Sequence, residues 1–150
     1  MQTGYNNLVG GTRYLFSPDG RLLATGTLRS TTIKLWDTTN GRELRDLAAG
    51  GLSAPGLAPV FAFSRDSRLI AGAAGMNQVT IWDVVSGRQV QALDAATTGT
   101  FTSTMGIIFV DFTPDGRLVT ISDAIRVWDV ASGRELRSIT FDATGMPGFV

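Results

Sequence analysis

Thr32-Ile33-Lys34-Leu35-Trp36-Asp37 recurs as Val79-Thr80-Ile81-Trp82-Asp83 and again as Ala124-Ile125-Arg126-Val127-Trp128-Asp129. These segments hold all three tryptophans of the chain, at positions 36, 82 and 128, so the spacing is 46 residues each time. The pairs Gly41-Arg42, Gly87-Arg88 and Gly133-Arg134 keep the same period. A fixed period in the range of about 20–50 residues marks an array of supersecondary units, so the fold follows from the repeat before any single site is considered.

Working outward from the first copy, Tyr14-Leu15-Phe16 reads as a short strand, Ser17-Pro18-Asp19-Gly20 as a turn and residues 21–27 as a second strand. Proline presets φ in such a turn and glycine takes the positive-φ position. Residues 31–36 are rich in β-branched and aromatic side chains and make a third strand, and after a turn through Gly41 residues 42–47 make a fourth. The aspartate after each tryptophan is placed to accept from backbone amides of its turn. The second unit comprises residues 60–63, 68–73, 78–82 and 88–93, and its turn Ser64-Arg65-Asp66-Ser67 has lost both proline and glycine. A positive φ at Ser67 would cost about 1 kcal/mol. The third unit comprises residues 107–112, 117–121, 124–128 and 134–141, with the turn Thr113-Pro114-Asp115-Gly116. Residues 1–11 read as a loop or one weak strand.

Composition narrows the function. With 43% apolar and 17% charged residues in 150, the chain is globular in character. Thirteen basic residues balance 13 acidic ones and no basic run occurs, so nucleic acid and membrane surfaces are not expected partners. There is no cysteine and no histidine. This removes thiolate and imidazole ligands, thiol nucleophiles and the usual general base near neutral pH. The first residues lack the pattern of a signal peptide and no apolar run approaches 18 residues, so a soluble, cytoplasmic segment is expected.

The motifs resemble the WD-repeat family of β-propellers, whose blades are four-stranded sheets with a Trp-Asp dipeptide closing the third strand. Residues 16–44 are most similar to the bacterial-style repeat "FSPDGRLLATG…IKLWD…GREL". The resemblance implies an all-β chain of three four-stranded antiparallel blades at residues 12–47, 58–93 and 107–141, with residues 142–150 approaching a further blade. Blades of that family often carry a hydrogen-bond network joining the tryptophan to a second-strand hydroxyl, an aspartate and a histidine, and here it is expected to be mostly absent, since the chain has no histidine. Thr27 is the hydroxyl expected beside Trp36, with Ala74 replacing it in the second unit; Ser30 and Met76 stand in the aspartate's place, and Asp123 serves in the third unit. Because a blade cannot bury both faces without neighbours, the first and third units are expected to leave one face bare. The isolated segment should then associate, two copies pairing their ends into a six-bladed ring or aggregating through open edges.

The resemblance implies a protein-protein interaction scaffold, with a protein or peptide partner and no catalytic, cofactor-binding or metal site. The alternative is a sensor or regulatory arm of a larger enzyme or signalling protein, such as a kinase or protease. Two loops at residues 48–59 and 94–106 are long, and the second offers Phe101 and Met105 as large apolar side chains. Arg42, Arg88 and Arg134 form a series on one rim, suited to an anionic partner. No Gly-x-Ser-x-Gly elbow, phosphate loop or dinucleotide turn is present. Asp19, Asp66 and Asp115 occupy one turn position repeated three times, so they point from separate units rather than converge.

Overall fold

The computed structural model describes residues 7–9, 11–28, 30–49, 59–73, 78–95, 106–141 and 147–148. The chain is all-β, with no helix among the described residues. Three antiparallel four-stranded meanders follow one another. The first is β2 (Thr12–Phe16), β3 (Leu22–Thr27), β4 (Thr32–Asp37) and β5 (Glu43–Ala48). The second is β6 (Val60–Phe63), β7 (Leu69–Ala73), β8 (Gln78–Asp83) and β9 (Gln89–Asp94). The third is β10 (Phe109–Phe112), β11 (Leu118–Ile121), β12 (Ala124–Trp128) and β13 (Glu135–Phe141). Two short strands extend the outer sheets: β1 (Asn7–Val9) pairs with β2, and β14 (Pro147–Gly148) pairs with β13.

Register makes the three units superimposable. Leu23, Ile70 and Leu118 lie opposite Trp36, Trp82 and Trp128 respectively. A register shift falls immediately before each tryptophan, between Leu35 and Trp36, Ile81 and Trp82, and Val127 and Trp128. The extra residues on the outer strands are Leu44, Val90 and Leu136, all exposed, as bulged residues released from a ladder can be. Turns repeat as well. Ser17 and Ser64 donate to Asp19 and Asp66 at 2.6 Å, and Thr113 donates to Asp115. Gly20 and Gly116 have φ of 73° and 87°, and Ser67, the corresponding residue of the second unit, adopts φ 61°. The strained serine foreseen in the sequence is therefore real; its hydroxyl accepts from the Asp19 amide of the first sheet at 3.1 Å.

Alternation along the strands sends each middle-sheet residue to one of two neighbours. Phe61, Phe63, Ile70 and Trp82 pack with Ala24, Ile33, Leu35 and Leu47 of the first sheet. Val60, Ala62, Ala71, Val79, Ile81 and Leu93 pack with Val110, Phe112, Leu118 and Trp128 of the third. All four residues of β6 are buried for this reason. Both junctions follow one rule: an aliphatic face of the leading sheet covers the tryptophan face of the next. Among the described residues, no sheet packs on the other face of the first sheet or of the third. On the first sheet, Phe16, Leu23 and Trp36 share that side; Trp36 is only half-buried, whereas Trp82 and Trp128 are 4% exposed. On the third, Val119, Ile121, Ile125 and Val127 share a half-buried aliphatic side.

Candidate interaction surfaces

The rim arginines sit at one corner repeated three times. Gly41, Gly87 and Gly133 have φ between 72° and 73°, and each donates its amide to the carbonyl of the aspartate that follows the tryptophan, at 2.8–2.9 Å. The next residue, Arg42, Arg88 or Arg134, returns its carbonyl to that aspartate's amide at 2.8–2.9 Å. Backbone geometry is thereby fixed while the guanidinium side chains stay exposed. The bulged Leu44, Val90 and Leu136 lie two residues further along the same outer strands. A cationic and an apolar side chain thus recur together on each sheet, distributed along the outer edge and not gathered into one pocket. Phe101 and Met105 fall outside the described residues, as does most of both long loops.

The carboxylates of the tryptophan turns are occupied by local hydrogen bonds. Asp37 accepts from the Thr39 hydroxyl and amide at 2.6 and 2.8 Å. Asp83 accepts from the Ser86 amide and hydroxyl at 2.8 and 3.0 Å, and Asp129 accepts likewise from Ser132. These donors hold all three carboxyls below the usual range. For Asp19, Asp66 and Asp115 the hydroxyls of Ser17, Ser64 and Thr113 are the first cause of the same depression. Six repeated aspartates are accordingly turn elements, each bound within its own unit. Among the described residues no three His, Cys, Asp or Glu side chains are grouped as metal ligands.

The tryptophan hydroxyl partner differs from the sequence expectation. Trp36 donates through Nε1 to Thr25 at 2.9 Å, not to Thr27, and Trp128 donates to Thr120 at 3.0 Å. The cause is register: the residue facing Trp36 is Leu23, and the hydroxyl two positions along on the same side is Thr25. In the second unit that position is Gly72, whereas Ala74 and Met76 lie outside the described residues. Ser30 instead accepts from the Thr32 amide at 3.1 Å. Asp123 does not join the Trp128 hydrogen bond; it accepts from Ser122 at 2.9 Å and from the buried Arg126 at 3.0 Å. Burial pushes its carboxyl up, but Ser122 and Arg126 together hold it below the ordinary value.

Sequence reasoning missed a second series on the same 46-residue period. Arg45 on β5 donates through Nη2 to the Val85 carbonyl in the second unit at 2.6 Å, and Gln91 on β9 donates to the Ala131 carbonyl in the third at 3.4 Å. The outer strand of one sheet thus clasps the tryptophan turn of the next. Positions 45, 91 and 137 were detectable by their spacing alone, but the long polar residues differ in type, so no motif marked them.

Repeated meanders, Trp-Asp dipeptides in register and sheet-on-sheet stacking now stand together with a sequence match: residues 4–37 match the profile of the WD domain, G-beta repeat. The first blade carries a WD repeat. The matched span ends on the Trp36-Asp37 dipeptide, and the second and third units reproduce its strand order and register. No curated protein matches the chain. WD repeats generally mediate protein-protein interaction, which fits surfaces that recur from blade to blade. A shallow crevice between the second and third blades, lined by Arg65, Leu69, Phe112 and Pro114, is a further concave feature on the turn side.

Proposed function

We propose that the chain is a protein-interaction scaffold that performs no chemistry of its own and offers its blade rim to a protein or peptide bearing acidic and apolar side chains. The observation that carries this reading is the exposed pairing of Arg42 with Leu44, Arg88 with Val90 and Arg134 with Leu136 at one corner of each blade. Arginine suits such a site because its planar fork can hold a carboxylate through two hydrogen bonds, and a neighbouring aliphatic side chain adds buried area. Repetition supplies avidity: three weak contacts on one rigid array bind far more tightly than one. Phe101 and Met105 are proposed as additional apolar contacts from the second long loop.

The test is affinity capture from the source cells with wild-type protein and with the Arg42→Glu, Arg88→Glu, Arg134→Glu triple variant. Bound proteins retained by the wild type and lost by the variant are expected, with binding weakened at higher salt. Identical capture by both, with the variant folded by circular dichroism, would refute the rim as the contact surface.

A further inference from the structure

Arg13 is the one arginine on the first strands of the three blades, β2, β6 and β10. Its cross-strand partner is Gly26, and a Cβ on Gly26 would lie 2.9 Å from Pro59 Cγ and 3.0 Å from Phe61 Cε1 of the second blade. Residues directly opposite in an antiparallel ladder share a face, so the Arg13 side chain lies on the side that the second blade covers. Counted back from Phe16, Phe63 and Phe112, the corresponding residues are Val60 and Phe109. An apolar side chain therefore suffices at this place in the other two blades. In the first blade, Arg13 Nε and Nη1 are buried and neither has an acceptor. Among the described residues Arg13 forms no ion pair. Arg45, at the outer end of the same side, is already engaged by the Val85 carbonyl. Burial pushes the Arg13 guanidinium down from its ordinary pKa, the response of a cation with no counter-charge, yet arginine keeps its proton near neutral pH. A buried positive charge left unpaired weakens a fold, and only an acceptor removes that penalty.

We propose that Arg13 anchors the carboxylate of a ligand at the inner end of the junction between the first and second blades. Charge selects the ligand class. One guanidinium with no free cation beside it balances one negative charge, whereas a phosphate dianion would leave a surplus charge against Leu15, Pro59 and Phe61. The planar guanidinium also matches the two oxygens of a carboxylate. The apolar surroundings favour a carboxylate carried on an aliphatic body, which a small fatty acid and a glutamate flanked by leucines both present. Both buried nitrogens are enclosed before the ligand arrives, so binding requires the inner end of the junction to part, and association should be slower than a diffusional encounter. The site does not rest on the rim reading, because Arg42, Arg88 and Arg134 stand on the turns that follow the tryptophans.

Heteronuclear NMR on the isotope-labelled chain tests this through the Arg13 Nε–H resonance, assigned by its absence in Arg13→Met. Hexanoate is titrated with hexanol as its uncharged control, and the capped tripeptide Leu-Glu-Leu with Leu-Gln-Leu as its control. A saturable one-site shift with either carboxylate and none with its control is expected; the hexanoate arm marks a small acid as the ligand, the tripeptide arm an acidic side chain of a partner. Arg13→Lys keeps the charge but loses the planar fork, so the dissociation constant should rise about tenfold. Arg13→Met should abolish binding and raise the thermal midpoint of the ligand-free chain, since it removes the unpaired charge and keeps the apolar stem. The Arg42→Glu, Arg88→Glu, Arg134→Glu triple variant should bind as wild type does. No shift with either carboxylate, equal shifts with the controls, or loss of binding in the rim variant overturns the proposal. A lowered midpoint or an unfolded chain in Arg13→Met also overturns it, because the guanidinium would then be holding the fold.

Discussion

Gly72 is a point of close backbone approach between the first and second blades, and adding one methyl there should separate them. A Cβ on this residue would lie 2.3 Å from Ile33 Cδ1, 3.2 Å from Trp82 Cζ3 and 3.5 Å from the Val60 carbonyl oxygen. Ile33 is fully buried and β-branched, so its terminal methyl can move only by leaving its rotamer or by pushing the blades apart. Overpacking of this kind costs about 1–3 kcal/mol. Removing a glycine from a strand interior returns about 0.5–1 kcal/mol. At the middle of both ranges, Gly72→Ala should destabilise by about 1 kcal/mol net, and for a chain of this size the melting temperature should fall by about 2–4 °C. Ile33→Val alone should cost about 0.5–1.5 kcal/mol, but it vacates the space that the new methyl needs. The double variant should then be less destabilised than the sum of the two, with a coupling of about 1 kcal/mol. Urea denaturation of the four proteins, followed by tryptophan fluorescence, measures the cycle. A neutral or stabilising Gly72→Ala, or strict additivity, would refute the close-approach argument.

Thr120→Val leaves the shape of the third blade unchanged but strips the acceptor from the buried Trp128 indole; a loss of about 1–3 kcal/mol is expected in denaturant, with a smaller loss for Thr25→Val beside the half-exposed Trp36. Ser67→Gly relieves the φ of 61° and forfeits one exposed hydrogen bond from Asp19, so a net stabilisation of up to about 1 kcal/mol is expected, and a destabilised variant would assign the greater weight to the inter-blade hydrogen bond. Acid should weaken the fold through its turns. The carboxyls of Asp19, Asp66 and Asp115 are depressed in the folded chain first by their Ser or Thr hydroxyl donors. The stability they supply is therefore complete above the unfolded value of about 3.9 and is lost as pH falls through the folded value. Denaturation midpoints measured from pH 7 downward should stay flat to about pH 5 and then decline, less steeply in Ser64→Ala; an unchanged slope in that variant would count against the turn hydrogen bond as the cause.

How far the sequence could be read depended on whether a feature repeats. Trp36, Trp82 and Trp128 share one residue type, one spacing and one strand position, so strand order and blade identity were legible without coordinates. Ser67 was legible too, because the turn Ser64-Arg65-Asp66-Ser67 violates a rule that its two sister turns obey. The Trp36 partner was misplaced by two residues, Thr27 for Thr25, because both threonines point to the same side of β3 and only the pairing register selects between them. That register, with Leu23 opposite Trp36 and Thr25 opposite Lys34, is announced by no residue type.

Junctions between blades were the least legible feature, for a physical reason. Within a blade, side-chain alternation is local and appears as period two in the sequence. Across a junction the complementary features sit 39 to 40 residues apart, as Ile33 does from Gly72 and Arg45 from Val85, and they are matched by volume and reach, not by type. An isoleucine over a glycine and a valine in line with a threonine fill comparable space, and an arginine and a glutamine both reach a turn carbonyl. Selection on such a junction acts on the pair, so either partner read alone looks unremarkable.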